Sequence, residues 1–219
     1  YIEQQTNHIV KTFTDFVKYK KLSIIISFFI KNTKDVVKNR KRSRYDKYFF
    51  NRYSKNINEV KNFNSPLCFD TLKNEKPDIL ILAGSRILGE KILSIPRIGT
   101  LNAHPGLLPN YRGIDVVPWA IYNGDKVGVT IHFVNEKVDD GKILLKKEVN
   151  IEKYSSLYEI KKNVEFFCSK MMVYAVLKIL CNKSFKVINF DSSNSKIYTT
   201  MPSALMQIVE QKLRHLDNK

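Results

Sequence analysis

From Pro66 onward, short apolar runs alternate with amphipathic segments, the pattern of an α/β protein. After Lys76-Pro77-Asp78, the run Ile79-Leu80-Ile81-Leu82-Ala83 is apolar at every position, which predicts a strand covered on both faces and ended by Gly84. A short helix is expected over Glu90–Leu93. Residues 100–104 read as a second strand, stopped by Pro105. Residues 106–113 have Gly at each end and Pro109 inside, so they predict a loop. Residues 127–134 alternate as a strand does, and residues 143–151 look like its antiparallel partner, joined through a turn at Asp139-Asp140-Gly141-Lys142. Ser156 and Glu159 form a capping box, after which Leu157, Ile160, Val164, Phe167, Met171, Ala175 and Ile179 recur at helical spacing. A long amphipathic helix follows from that spacing, and residues from Met201 onward predict another.

The first part of the chain has a different texture. Residues 1–61 carry 15 Lys and Arg against 5 Asp and Glu, so most of the formal net charge of +16 falls in about a quarter of the chain. Its densest stretch, residues 38–47, is followed closely by Tyr48, Phe49, Phe50 and Tyr53. Basic residues interleaved with aromatics can bind single-stranded nucleic acid. We read them first as a solvated helix face with an aromatic stripe turned inward, which disfavours nucleic acid as a partner. No glycine precedes Gly84, which excludes both a GxGxxG turn and a P-loop from the first 83 residues.

Composition narrows the class further. With 219 residues, 43% hydrophobic and 26% charged, the chain can bury one sizeable core, and we expect a single domain over 1–219. Within it we separate a basic part (1–62), a core region (63–150) and a helical part (151–219). Cys68, Cys168 and Cys181 are scattered without CxxC spacing, so they predict reduced core residues and no metal site. The longest apolar run, residues 22–30, falls short of the roughly 20 residues needed to cross a bilayer. No signal peptide is visible, and cytoplasmic residence is the default expectation. The chain opens at Tyr1 and not at Met, which leaves room for a preceding segment. A surplus of this size favours anionic ligands, and nothing in it decides against a homodimer.

Candidate chemistry gathers in the middle. Asn102 and His104 are two residues apart on a predicted strand, so both side chains share one face at its carboxyl end, the edge where open α/β sheets bind ligands. His132 lies within a strand with no partner in sequence reach and is read as structural. Asp140 precedes Gly141 in the favoured dipeptide of a tight turn and has a sufficient structural task there. Asp139 is free to point back toward the imidazole.

The segment Leu101-Asn102-Ala103-His104-Pro105-Gly106-Leu107-Leu108-Pro109-Asn110-Tyr111-Arg112-Gly113, followed by Gly124-Asp125, Gly128-Val129-Thr130-Ile131-His132 and Asp139-Asp140-Gly141-Lys142-Ile143-Leu144, resembles the core of the folate-dependent formyltransferases. The resemblance covers residues 63–150 well, extends loosely over the helix after them, and is poor over 1–60. It implies a Rossmann-like α/β fold with a mostly parallel sheet, an antiparallel hairpin and a C-terminal amphipathic helix. The catalytic Asn, His and Asp of the family fall on Asn102, His104 and Asp139. The formyl donor it implies is 10-formyltetrahydrofolate, with the pterin held by main chain at Leu82, Arg86, Ile87 and Leu88 and by the loop from Val134 to Val138. Gly106 stands where many relatives have Ser.

The activity expected from this resemblance is formyl transfer to a primary amine. Glycinamide ribonucleotide is disfavoured because no glycine-rich phosphate loop precedes Gly84. Methionyl-tRNA is disfavoured because too little chain follows Ile188 for the β-domain of that enzyme. An amino sugar, nucleotide-linked in one version, is the expected acceptor. Two alternatives remain: a formyltetrahydrofolate hydrolase, and an inactive basic nucleic-acid-binding module on the same fold.

Overall fold

Ser65-Pro66 opens a helix for reasons the sequence carries. The Ser65 hydroxyl accepts from the Cys68 N–H at 3.3 Å, and Pro66 brings a φ already suited to the first turn. Helix α1 (Pro66–Glu75) then ends at Lys76, which turns left-handed with φ 46°. This computed structural model describes residues 60–83, 87–181 and 186–216, together with the backbone of strand β1 (Ile24–Phe28). The basic stretch 38–47 and its aromatic neighbours lie outside the described residues. The chain divides into two compact units, with a break between Thr100 and Leu101.

In the unit before the break, β1 runs parallel to β2 (Ile79–Ala83), in a register that sets Ile24 against Ile79 and Phe28 against Ala83. Ile79, Leu80, Ile81 and Leu82 are all buried, as a strand covered on both faces requires. The expected short helix, α2, spans Glu90–Leu93.

The break falls within β3 (Gly99–His104), whose Leu101–His104 pairs antiparallel with β5 (Gly128–Phe133), and β5 pairs antiparallel with β6 (Ile143–Glu148). Between β3 and β5 the chain makes a short strand β4 (Arg112–Gly113) and helix α3 (Val116–Asn123), which ends at Gly124 in the left-handed region. Helix α4 (Leu157–Leu180) starts where the capping box predicts, with the Ser156 hydroxyl accepting from the Glu159 N–H, and packs against β5 and β6. Strand β7 (Ile197–Tyr198) runs parallel to β4, and helix α5 (Ser203–Leu216) packs against α3. Parallel and antiparallel pairing with covering helices is the α/β architecture anticipated from the sequence.

Three expectations need correction. Cys181, expected in the core, is exposed at the end of α4, because the helix stops one residue earlier. The second hairpin strand ends at Glu148, not at residue 151, where Val149 still bonds Val127 but the ladder then gives way to a turn. The hairpin also does not close in a tight Asp140-Gly141 turn. Residues 134–142 form a longer connection in which Asp139, with φ 46°, takes the left-handed conformation. Gly141 is needed for space instead: a Cβ there would stand 1.7 Å from the Phe133 carbonyl oxygen.

Candidate active site

Pro105 ends β3 directly after His104, and the chain folds back over the strand end. Two side chains from neighbouring strands pin this fold-back. The Thr130 hydroxyl donates to the Gly106 carbonyl at 2.6 Å and accepts from the Leu108 N–H at 3.2 Å, while Lys146 Nζ donates to the Leu108 carbonyl at 3.0 Å. The loop thereby delivers the Tyr111 carbonyl to His104, whose Nε2–H donates to it at 2.6 Å. Tyr111 is itself held by its phenol, which donates to Asp125 and accepts from Asn123, and by stacking on Tyr198 with ring centroids 5.2 Å apart. Gly106 makes the fold-back feasible. A Cβ at that position would lie 2.7 Å from the Tyr111 oxygen and 2.8 Å from His104 Nε2, which accounts for glycine here.

A carbonyl oxygen only accepts, so the contact with Tyr111 places a proton on Nε2 of His104. The nitrogen left for exchange is Nδ1, and it faces Asp139 Oδ2 at 3.4 Å. Burial pushes the His104 pKa below the ordinary 6.5, although the Asp139 charge and the Tyr111 carbonyl pull it upward. For Asp139, burial acts upward, but the nearby His104 and the Gly113 N–H outweigh it. Its pKa is held below 3.8. At neutral pH the pair is therefore a neutral imidazole beside a carboxylate, and a proton arriving at Nδ1 would be stabilised by that charge.

Asp139 is placed by β4. The Gly113 N–H donates to its Oδ2 at 2.8 Å, and the buried Arg112 donates through Nε and Nη2 to the Val138 carbonyl at 2.9 and 2.6 Å. Arg112 also donates to Ser195 Oγ at 2.9 Å and stands 3.7 Å from Asp140 Oδ1. The guanidinium thus ties the 134–142 connection to the segment before β7. Asn102 completes the cluster: its Nδ2 is 3.2 Å from Nε2 of His132, the residue facing it across the β3–β5 ladder.

The structure brings Asn102, His104 and Asp139 into one cluster, and it gives His132, read from the sequence as structural, partners that lie out of local sequence reach. His132 lies opposite Asn102 and 3.6 Å from Asp139 Oδ1. Its signal in the sequence was weak, since cross-strand register is invisible until the strands are paired. Arg112 carries no stronger signal, since an arginine in a Tyr-Arg-Gly loop is ordinarily solvated, and its burial is what marks it. Val134 and Val138 are half-buried in the 134–142 connection. In the other unit Leu82 and Leu88 are buried and Ile87 is exposed, its carbonyl accepting from Asn64 Nδ2 at 3.0 Å. Arg86 lies outside the described residues.

The profile of the formyl transferase family matches residues 2–176. This chain belongs to that family. Its members are folate-dependent enzymes that use 10-formyltetrahydrofolate. A methionyl-tRNA formyltransferase from Thermotoga neapolitana is 40% identical over 126 residues, which cover 57% of this chain and 40% of that protein. The chain thus spans about two fifths of the length of such curated relatives. Among solved structures, glycinamide ribonucleotide transformylase 1 from Symbiobacterium toebii matches with a TM-score of 0.63 at 20% identity, covering 85% of this chain and 89% of that one. The formyltransferase PseJ from Anoxybacillus kamchatkensis, solved in complex with UDP-4,6-dideoxy-4-formamido-L-AltNAc and tetrahydrofolate, matches with a TM-score of 0.52 at 15% identity, covering 80% and 84%. At these identities the structural matches speak for the fold. Among the described residues of this chain, no helix is long and apolar enough to cross a membrane.

Proposed function

We propose that this formyltransferase moves the formyl group of 10-formyltetrahydrofolate to a primary amine, with Asn102, His104 and Asp139 as its catalytic residues. The observation that carries this reading is the single cluster in which Nδ1 of a buried His104 faces an ionised Asp139, with the Asn102 amide beside them. The amine nitrogen bonds to the formyl carbon, and negative charge grows on the formyl oxygen. An Asn102 N–H donates to that oxygen; losing one such donor typically costs about 10²–10³ in rate. The proton shed by the amine goes to His104 Nδ1, directly or over one water, and Asp139 stabilises the resulting imidazolium. As the bond from the formyl carbon to N10 breaks, the same proton passes to N10. Main chain at Leu82, Arg86, Ile87 and Leu88 and at Val134 to Val138 is assigned to the pterin by resemblance to the family.

The finer reading of the acceptor is an amino sugar, supported by the fold shared with an enzyme whose complex contains a formamido sugar nucleotide. A second reading, methionyl-tRNA, is favoured by the names of curated relatives at 33% to 40% identity. One assay separates them. The chain is incubated with 10-formyltetrahydrofolate alone, with a panel of amino-sugar nucleotides, and with methionyl-tRNA, and tetrahydrofolate release is followed. Release that depends on an amino sugar or on methionyl-tRNA identifies the acceptor. Release without any amine indicates a hydrolase, and no release in any arm overturns the transferase reading in favour of a binding module.

A further inference from the structure

His132 is among the most buried polar side chains after the break, at 1% exposure, and both of its nitrogens are engaged. Nδ1 lies 2.7 Å from the Phe133 carbonyl oxygen. That oxygen only accepts, so Nδ1 carries the ring proton, and Nε2 of the neutral ring holds a lone pair. A buried lone pair needs a donor, and the atom 3.2 Å away is Nδ2 of Asn102. Asp139 Oδ1, 3.6 Å from the same Nε2, is itself an acceptor and cannot supply one. Backbone pairing aims the ring as well. The register on β6 slips beside His132: Ile131 faces Leu145 while His132 faces Ile143, which leaves Leu144 as the extra residue of a bulge. Bulges re-aim the side chains next to them.

We infer that His132 is a positioning residue that selects one of the two orientations of the Asn102 amide. This rests on the proposed role of Asn102. By accepting one N–H, the Nε2 lone pair turns the NH₂ group toward the site and leaves the second N–H for the growing oxyanion. In the opposite orientation the amide oxygen would meet that charge with a charge of the same sign. The choice acts on the transition state far more than on the bound donor, so it bears on kcat and little on KM.

Two amide substitutions of His132 separate this role from ordinary packing. Gln places its amide at the ring's ε position, and Asn places it at the δ position. His132→Gln therefore keeps an acceptor for Asn102, while His132→Asn keeps only a partner for the Phe133 carbonyl. We expect His132→Asn to lower kcat about 10²-fold with KM for 10-formyltetrahydrofolate within about threefold, and His132→Gln to recover at least about tenfold of that loss. Equal losses in the two variants, or the reverse order, overturn the inference. Nitrogen-15 spectra of the wild-type imidazoles at about pH 8 read the same geometry without turnover. An Nδ1-protonated, Nε2-unprotonated His132 ring supports the inference, and an Nε2-protonated ring overturns it even if a variant fails to fold. Failure of the transferase reading would show separately, as absence of tetrahydrofolate release by the wild-type chain.

Discussion

Strand β2 and the paired strands β3 and β5 each carry buried side chains, yet these are held inside by different forces. In β2, Ile79, Leu80, Ile81 and Leu82 leave water because they are apolar, and each fully buried side chain of this size contributes roughly 1.5–3 kcal/mol. In β3 and β5, His104, Thr130 and His132 are as deeply buried, at 3%, 0% and 1% exposure, though burial opposes each of them. They stay because every one has a partner: the Tyr111 carbonyl, the Gly106 carbonyl and the Asn102 amide. Apolar burial is forgiving of orientation. Polar burial is not, and that is what aims these side chains.

The contrast predicts opposite signatures for substitutions in the two regions. Leu80→Ala should give the largest effect, a loss of about 2–5 kcal/mol in stability from the lost transfer energy and the remaining cavity. Turnover of the fraction still folded should be near normal. Denaturant unfolding with activity measured well below the transition checks both parts, and a large kcat change in folded Leu80→Ala would blur the division.

Asp139→Asn should reverse that signature. Asparagine tolerates the left-handed conformation at 139 and keeps a side-chain oxygen for the Gly113 N–H, so folding should hold, while kcat falls by at least about 10² because imidazolium at His104 loses its counter-charge. Asp140→Asn is the control. Arg112 keeps its bonds to Val138 and Ser195, so kcat should change by less than about threefold. Steady-state kinetics of the two variants decide the assignment, and the reverse order would move the catalytic carboxylate to Asp140.

A smaller effect should appear in the pH dependence of stability. His104 is buried neutral with its pKa lowered, so the unfolded chain binds a proton at His104 below about pH 6.5 before the folded chain does. Stability from this source is intact above that pH and is lost as pH falls toward the folded value. Asp139, also lowered, contributes above about pH 3.8 and loses its contribution further down. Thermal melting at a series of pH values should show the His104→Asn variant with a flatter decline just below pH 6.5. An unchanged slope would mean that His104 is not buried as the neutral ring.

Features that depend on neighbours along the chain were legible in the order of residues alone. The apolar run of β2, the caps at Ser65 and Ser156, the end of β3 at Pro105 and the shared face of Asn102 and His104 all follow from local pattern. The grouping of Asn102, His104 and Asp139 was legible through the resemblance of their surrounding segments to a family. Features that depend on pairing across the chain emerge with the fold. The register of β3 on β5 turns His132 from a solitary strand residue into the partner of Asn102. The close approach of Phe133, and not a turn, explains Gly141, and the left-handed residue of that connection is Asp139, not Asp140. Arg112 finds its role in carbonyls far away in sequence. Local pattern records whether a side chain should be buried, but a buried polar group is defined by the atom it bonds, and that atom is brought to it only by the fold.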